Sequence, residues 1–195
     1  MTKRGEIGWE GCREPITERR VREVEGRLGI RFPPEYATTV LGCHGGCPGS
    51  AAFSYEDPDE RIRISDTVGH FFTLREPLDH ETKRRLAREP YAWSELGIDR
   101  SDSILDFVDD RPEGLEEGLV PFTDTGSGDL ICFDYRRGAQ GSNPPIVIWR
   151  HEFLDKRPVV PVAASFGQFL GGLEKYDPEE LLKSLEAPSR ERDPD

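Results

Sequence analysis

Residues 16–36 read Ile16-Thr17-Glu18-Arg19-Arg20-Val21-Arg22-Glu23-Val24-Glu25-Gly26-Arg27-Leu28-Gly29-Ile30-Arg31-Phe32-Pro33-Pro34-Glu35-Tyr36. Val21, Val24 and Leu28 recur at spacings of three and four, which draws one apolar face on a helix. Thr17 suits the N-cap, where a side-chain oxygen takes a backbone N–H of the first turn, and Ile16 and Val21 stand at the positions of a hydrophobic staple. Gly29 is the stop, because glycine enters the left-handed backbone that ends many helices. Ile30 to Tyr36 is then a short turn into a second helix, with Pro34 at the first helical position, where its missing N–H costs nothing. Tyr36, Val40 and Leu41 form the buried side of that helix, and Gly42 and Gly45-Gly46 end it.

Downstream the period changes. Ala51 to Tyr55, Arg61 to Ser65 and Val68 to Leu74 read as three short strands, and Asp79 to Arg88 as a helix opened by a capping residue. Leu119 to Phe122 is a further strand, and Thr125-Gly126-Ser127-Gly128 a turn. Leu130-Ile131-Cys132-Phe133 and Ile146-Val147-Ile148-Trp149 are unbroken apolar runs, β-branched or aromatic, which predicts central strands. The Gly-, Pro- and Asn-rich stretch Arg136 to Pro145 fits a long hairpin connection between them. Ser165, with Gln168 three residues on, makes a capping box for a last helix bearing Phe166, Phe169, Leu170 and Leu173.

Helices open the chain, strands fill the middle and a helix closes it. The expected fold is α+β, with N-terminal helices and a C-terminal helix packed on a largely antiparallel, multi-stranded sheet. Residues 1–15 read as an N-terminal extension, 16–176 as a single domain with an acidic insert around 75–117, and 177–195 as a short helix and a disordered tail.

The chain of 195 residues carries a formal charge of −12, with 35% hydrophobic and 33% charged residues and a mean hydropathy of −0.64. That length supports a core without disulfide or metal. The acidity disfavours nonspecific binding to nucleic acid or to anionic membranes, and favours a basic partner. No apolar stretch follows the basic pair Lys3-Arg4, so neither a leader nor a membrane span is expected. A cytoplasmic location follows, with Cys12, Cys43, Cys47 and Cys132 as reduced thiols.

Four stretches together resemble the SUKH superfamily, also called Smi–Knr-like proteins. The first runs from Ile16-Thr17 through Leu28-Gly29-Ile30 and Phe32-Pro33-Pro34-Glu35-Tyr36 to His44-Gly45-Gly46. The others are Leu119 to Phe122 with Gly128 to Asp134, Pro145 to Glu152, and Val162 to Leu170. His44 stands where the family usually has Asn, a change that left-handed backbone would tolerate. The resemblance implies binding rather than catalysis, with no shared catalytic residue, cofactor or metal. Many bacterial members resemble immunity proteins that neutralise polymorphic toxins, often nucleases. Others resemble regulatory or scaffold modules.

The candidate partner surface is the acidic stretch: Trp93, Asp99, Asp102, Asp106, Asp109, Asp110 and Glu113. A nuclease presents Lys and Arg to phosphates, and carboxylates can meet those cations. Asp102, Asp106 and Asp109 fall at helical spacing, with Leu105 and Val108 expected inward and Trp93 alongside as an anchor. The competing reading is a solvated charged face.

Three other sets have plainer explanations. Cys43-His44-Gly45-Gly46-Cys47 offers three zinc ligands, but lacks a standard paired spacing and reads as a helix-ending loop. Ser165, His151 and Asp134 form a nominal nucleophile set, although Ser165 already serves as a cap. Asp129 and Asp134 sit at strand and turn ends, where such residues are ordinary.

Overall fold

The computed structural model describes residues 7–88, 103–138, 143–153 and 157–175. Helix α1 (Glu18–Leu28) begins at Thr17, whose hydroxyl accepts the Arg20 N–H at 3.3 Å, and ends at Gly29 with φ +67°. The carboxylate of Glu25, buried beneath α1, reaches forward to accept the Phe32 N–H at 2.9 Å and pairs with Arg31 at 2.8 Å. It thereby fixes the turn into α2 (Pro34–Gly42), which starts on Pro34 as expected. Tyr36 of α2 is fully buried amid Phe32, Phe71, Phe122, Phe133 and Phe166, with centroids 4.9–6.3 Å away. Most of these contacts are tilted or edge-to-face, the arrangement that ring quadrupoles favour.

The sheet is an antiparallel meander of six strands in chain order. Its members are β3 (Ala52–Glu56), β4 (Arg63–Phe71), β5 (Leu119–Thr125), β6 (Leu130–Asp134), β7 (Ile146–Trp149) and β8 (Val159–Ala163). Two further short strands, β1 (Trp9–Glu10) and β2 (Cys47–Pro48), pair separately with each other. The remaining helices are α3 (His80–Arg88), α4 (Asp106–Asp109) and α5 (Phe166–Gly171). Ser165 caps α5 by accepting the Gln168 N–H at 3.1 Å.

Two strand readings change. Arg61–Ser65 and Val68–Leu74 are one strand, β4, with an irregular register between Val68 and Phe71. Gly69 makes this possible: a Cβ there would lie 1.9 Å from Asp124 Oδ1. Glycine in a strand marks such close approaches and bulges. Strand β8 had no counterpart among the strands read from sequence, because Pro161 interrupts its pattern. It lies at the edge of the sheet, where proline is tolerated.

Every residue of β7 is buried, and so are Leu130 to Phe133 of β6, so both faces of the sheet are covered there. One face carries Tyr36 and its phenylalanines. On the other, Trp149 donates its indole N–H to the Gly114 carbonyl at 3.1 Å, and Ile104, Leu105 and Leu115 are buried. Residues 103–118 therefore form a roof over the core. Among the described residues no helix is long and apolar enough to cross a membrane.

Candidate partner-binding surface

The roof sorts its carboxylates into two groups. Asp106 is mostly buried: one oxygen accepts the Ser103 N–H at 2.8 Å and the other lies 2.6 Å from Lys83 Nζ. Asp109 lies 3.8 Å from Arg27, which also binds Glu76 at 2.6 Å. Glu76 is shared with Arg20, and these guanidinium contacts, Arg20 first, hold its carboxyl below the usual range. Asp110, Glu113 and Glu117 are exposed and have no cation partner among the described residues. Trp93, Asp99 and Asp102 lie outside the described residues.

The expected burial of Val108 does not hold. Helix α4 is a single turn, and within it Phe107 takes the inward place, tilted on Phe72 at 4.8 Å. Leu105 is buried as expected, but Val108 is 42% exposed, beside Asp109 and Asp110. Sequence periodicity missed this apolar surface residue because one turn is too short for the pattern to distinguish Phe107 from Val108 as the inward side chain.

The loop after α2 also departs from expectation. Cys43 is joined to Cys12 in a disulfide, so those two are not reduced thiols; Cys47 and Cys132 are free. The residues before Pro15, unpatterned in sequence, fold back through β1 and bring Cys12 to the end of α2. The left-handed backbone falls on Gly45, φ +65°, and not on His44. His44 acts instead through its buried ring. Nε2 accepts the Leu74 N–H at 2.8 Å, which requires Nδ1 to carry the proton it donates to the Glu14 carbonyl at 3.1 Å. Burial, and then the cations of Arg75, Arg20 and Arg13, lower its pKa, against the opposing pull of the Glu14 carbonyl. With Cys43 sulfur in a disulfide and both His44 nitrogens bonded to backbone, this loop does not present the ligand set its sequence suggested. Burial pushes the Cys47 thiol in the opposite direction, up.

The nominal nucleophile set is not brought together. Ser165 caps α5, His151 Nδ1 pairs with Asp129 at 2.8 Å, and Asp134 is held by Arg136 at 2.8 Å. The hydrogen bond from Arg136 lowers the Asp134 carboxyl. Asp129 also accepts the His151 backbone N–H at 3.0 Å, anchoring the end of β7 to the β5–β6 turn.

These elements define an α+β domain with an aromatic core, a tightly bonded loop after α2 and a charged roof, the last being its candidate contact face. The family model described as SMI1 / KNR4 family (SUKH-1) matches residues 15–172, and the chain belongs to that family. No curated protein matches it. The six-stranded antiparallel sheet with its flanking helices agrees with the fold expected of the family, and membership is consistent with an immunity-type protein-binding module.

Proposed function

We propose that this chain is an immunity protein that binds and neutralises a basic protein toxin in the cytoplasm, holding it without chemistry of its own. The observation that carries the reading is the roof. In a chain of net charge −12, Asp110, Glu113 and Glu117 stand exposed without cations among the described residues, on the same segment as the exposed apolar Val108. Carboxylates around an apolar anchor suit a cationic partner: the charges speed encounter, and the desolvated anchor sets residence time. A nuclease that displays Lys and Arg to phosphate is the toxin class this surface fits best. Trp93, Asp99 and Asp102 remain candidates from the sequence reading and lie outside the described residues.

The test is coexpression and copurification with the product of the adjacent gene, followed by stopped-flow association. Reversing Asp110, Glu113 and Glu117 to Lys is expected to slow association at least tenfold at low salt and to flatten its salt dependence. An unchanged on-rate would remove the roof as the docking face. No complex and no protection would remove the immunity reading.

A further inference from the structure

Residues Ile7 to Glu14 form a strap held at successive points. The Gly8 carbonyl accepts the Gly49 N–H at 2.6 Å, and Trp9 and Glu10 pair with Pro48 and Cys47. Trp9 stands edge-on to Phe71 at 5.0 Å. The Arg13 N–H donates to the His44 carbonyl at 2.7 Å, and the Glu14 carbonyl takes the His44 ring proton. The covalent point is Cys12–Cys43. The site has room for that bond only because residue 46 is glycine: a Cβ there would lie 2.3 Å from Cys43 Sγ, 3.5 Å from Cys12 Sγ and 3.0 Å from the Glu10 carbonyl. Its two sulfur-bearing residues are unequal in access. Cys43 is buried at 5%, whereas Cys12 is exposed.

We propose that Cys12 is a thiol-exchange site, and that the thiol pool thereby sets whether the strap Ile7–Glu14 is clasped. The inference goes beyond the toxin-binding reading and does not rest on it. An incoming low-molecular-weight thiolate attacks the sulfur of Cys12, the more exposed of the two residues. The Cys12–Cys43 bond breaks, Cys43 leaves as a thiolate that takes up a proton, and Cys12 is left in a mixed disulfide. A second thiolate attacks the external sulfur of that mixed disulfide and frees Cys12. Two electrons pass from two thiols, which leave joined as their own disulfide, and two protons end on Cys12 and Cys43. Oxidation by a small disulfide runs the same steps backwards, with Cys43 as the resolving thiol. In a reducing compartment the strap is left with its hydrogen bonds and Trp9 alone.

Glutathione is the probe. Full-length protein purified without reductant is alkylated after denaturation and is expected to show two modified cysteines, Cys47 and Cys132, rising to four after dithiothreitol. Four modified cysteines at the outset would overturn the proposal. Under limiting glutathione the adduct is expected on the peptide carrying Cys12; an adduct on Cys43 would overturn the order of attack. Amide hydrogen exchange at Arg13 and Gly49 is expected to accelerate at least tenfold on reduction, with the core strands unchanged, and equal protection in both forms would show that no clasp is released. Gly46→Ala, checked for folding by circular dichroism, supplies a second variant. It is expected to shift the glutathione equilibrium at least tenfold toward the dithiol, and an unshifted equilibrium would refute the close packing invoked for the site.

Discussion

Replacing His44 with Leu removes an acceptor and a donor from the protein interior while keeping an apolar side chain there. The Leu74 N–H, on a wholly buried residue, loses its partner, and the Glu14 carbonyl loses its donor. A buried group left unsatisfied costs about 1–3 kcal/mol, and a lost ordinary hydrogen bond about 1 kcal/mol. The expected destabilisation at pH 7.5 is about 2–4 kcal/mol, or roughly 4–16 °C in Tm for a chain of this size. The pH dependence is the sharper reading. The folded-state pKa of His44 lies below its unfolded value, because burial and the cations of Arg75, Arg20 and Arg13 disfavour the imidazolium. Between those two values the unfolded chain binds the extra proton, so stability rises with pH. The contribution of His44 is fully present above about pH 6.5 and is lost as pH drops through the folded pKa. Protonation would also put an N–H against the Leu74 N–H. Urea unfolding of both proteins at pH 7.5 and pH 5 is expected to show the gap between them narrowing at the lower pH. A variant as stable as the parent at pH 7.5, or a gap that does not change with pH, would refute the assigned tautomer and its role.

Three further substitutions probe other parts of the structure. Tyr36 O–H is buried without a hydrogen-bond partner among the described residues, so Tyr36→Phe should be neutral or stabilising by about 1 kcal/mol in thermal melts; a clear loss would reveal a buried partner such as water. Arg150 and Asp57 form a buried ion pair, with the Arg150 guanidinium also donating to the Arg157 carbonyl at 2.6 Å. Asp57→Ala should cost about 3–5 kcal/mol in chemical denaturation and Asp57→Ala with Arg150→Met distinctly less, an ordering that fails if the pair is not buried. Because Cys12 and Cys43 lie 31 residues apart, Cys12→Ser should be about 3–4 kcal/mol less stable than the oxidised parent and nearly as stable as the reduced parent.

Much of the helical frame was legible because its signals are local. Thr17, Gly29, Pro34 and Ser165 each act within a few residues of their own position, and each does what its type predicts. Leu130 to Phe133 and Ile146 to Trp149 were legible as strands because burial on both faces leaves unbroken apolar runs. The misses arise where a distant partner decides. Gly69 continues a strand only because Asp124 approaches it, and Pro161 belongs to a strand only because it lies at an edge. Nothing in the spacing of Cys12 and Cys43 distinguishes a disulfide from two thiols, since the path that joins them is the fold of the strap. His44 could be read as a possible ligand or a tolerated substitution, but its two backbone contacts lie 30 residues away on either side.

The acidic roof shows why a charge run counted in sequence overstates the grip available to a partner. Asp106 has two structural tasks, closing the turn at Ser103 and pairing with Lys83, and Glu116 is held by Arg136 at 2.9 Å. Asp109 lies beside Arg27 of α1. These carboxylates already have cations beside them, so a basic partner would have to compete for them. Among the described residues Asp110, Glu113 and Glu117 do not, and they belong to a segment whose inner side, Ile104, Leu105, Leu115 and the Gly114 carbonyl, is fixed to the core. At physiological ionic strength a surface charge is screened beyond about 8 Å, so the potential a partner meets at this face comes from these few free groups and not from the net charge of the chain. Binding through the roof would therefore depend strongly on Asp110, Glu113 and Glu117, and only weakly on acidic residues elsewhere on the surface.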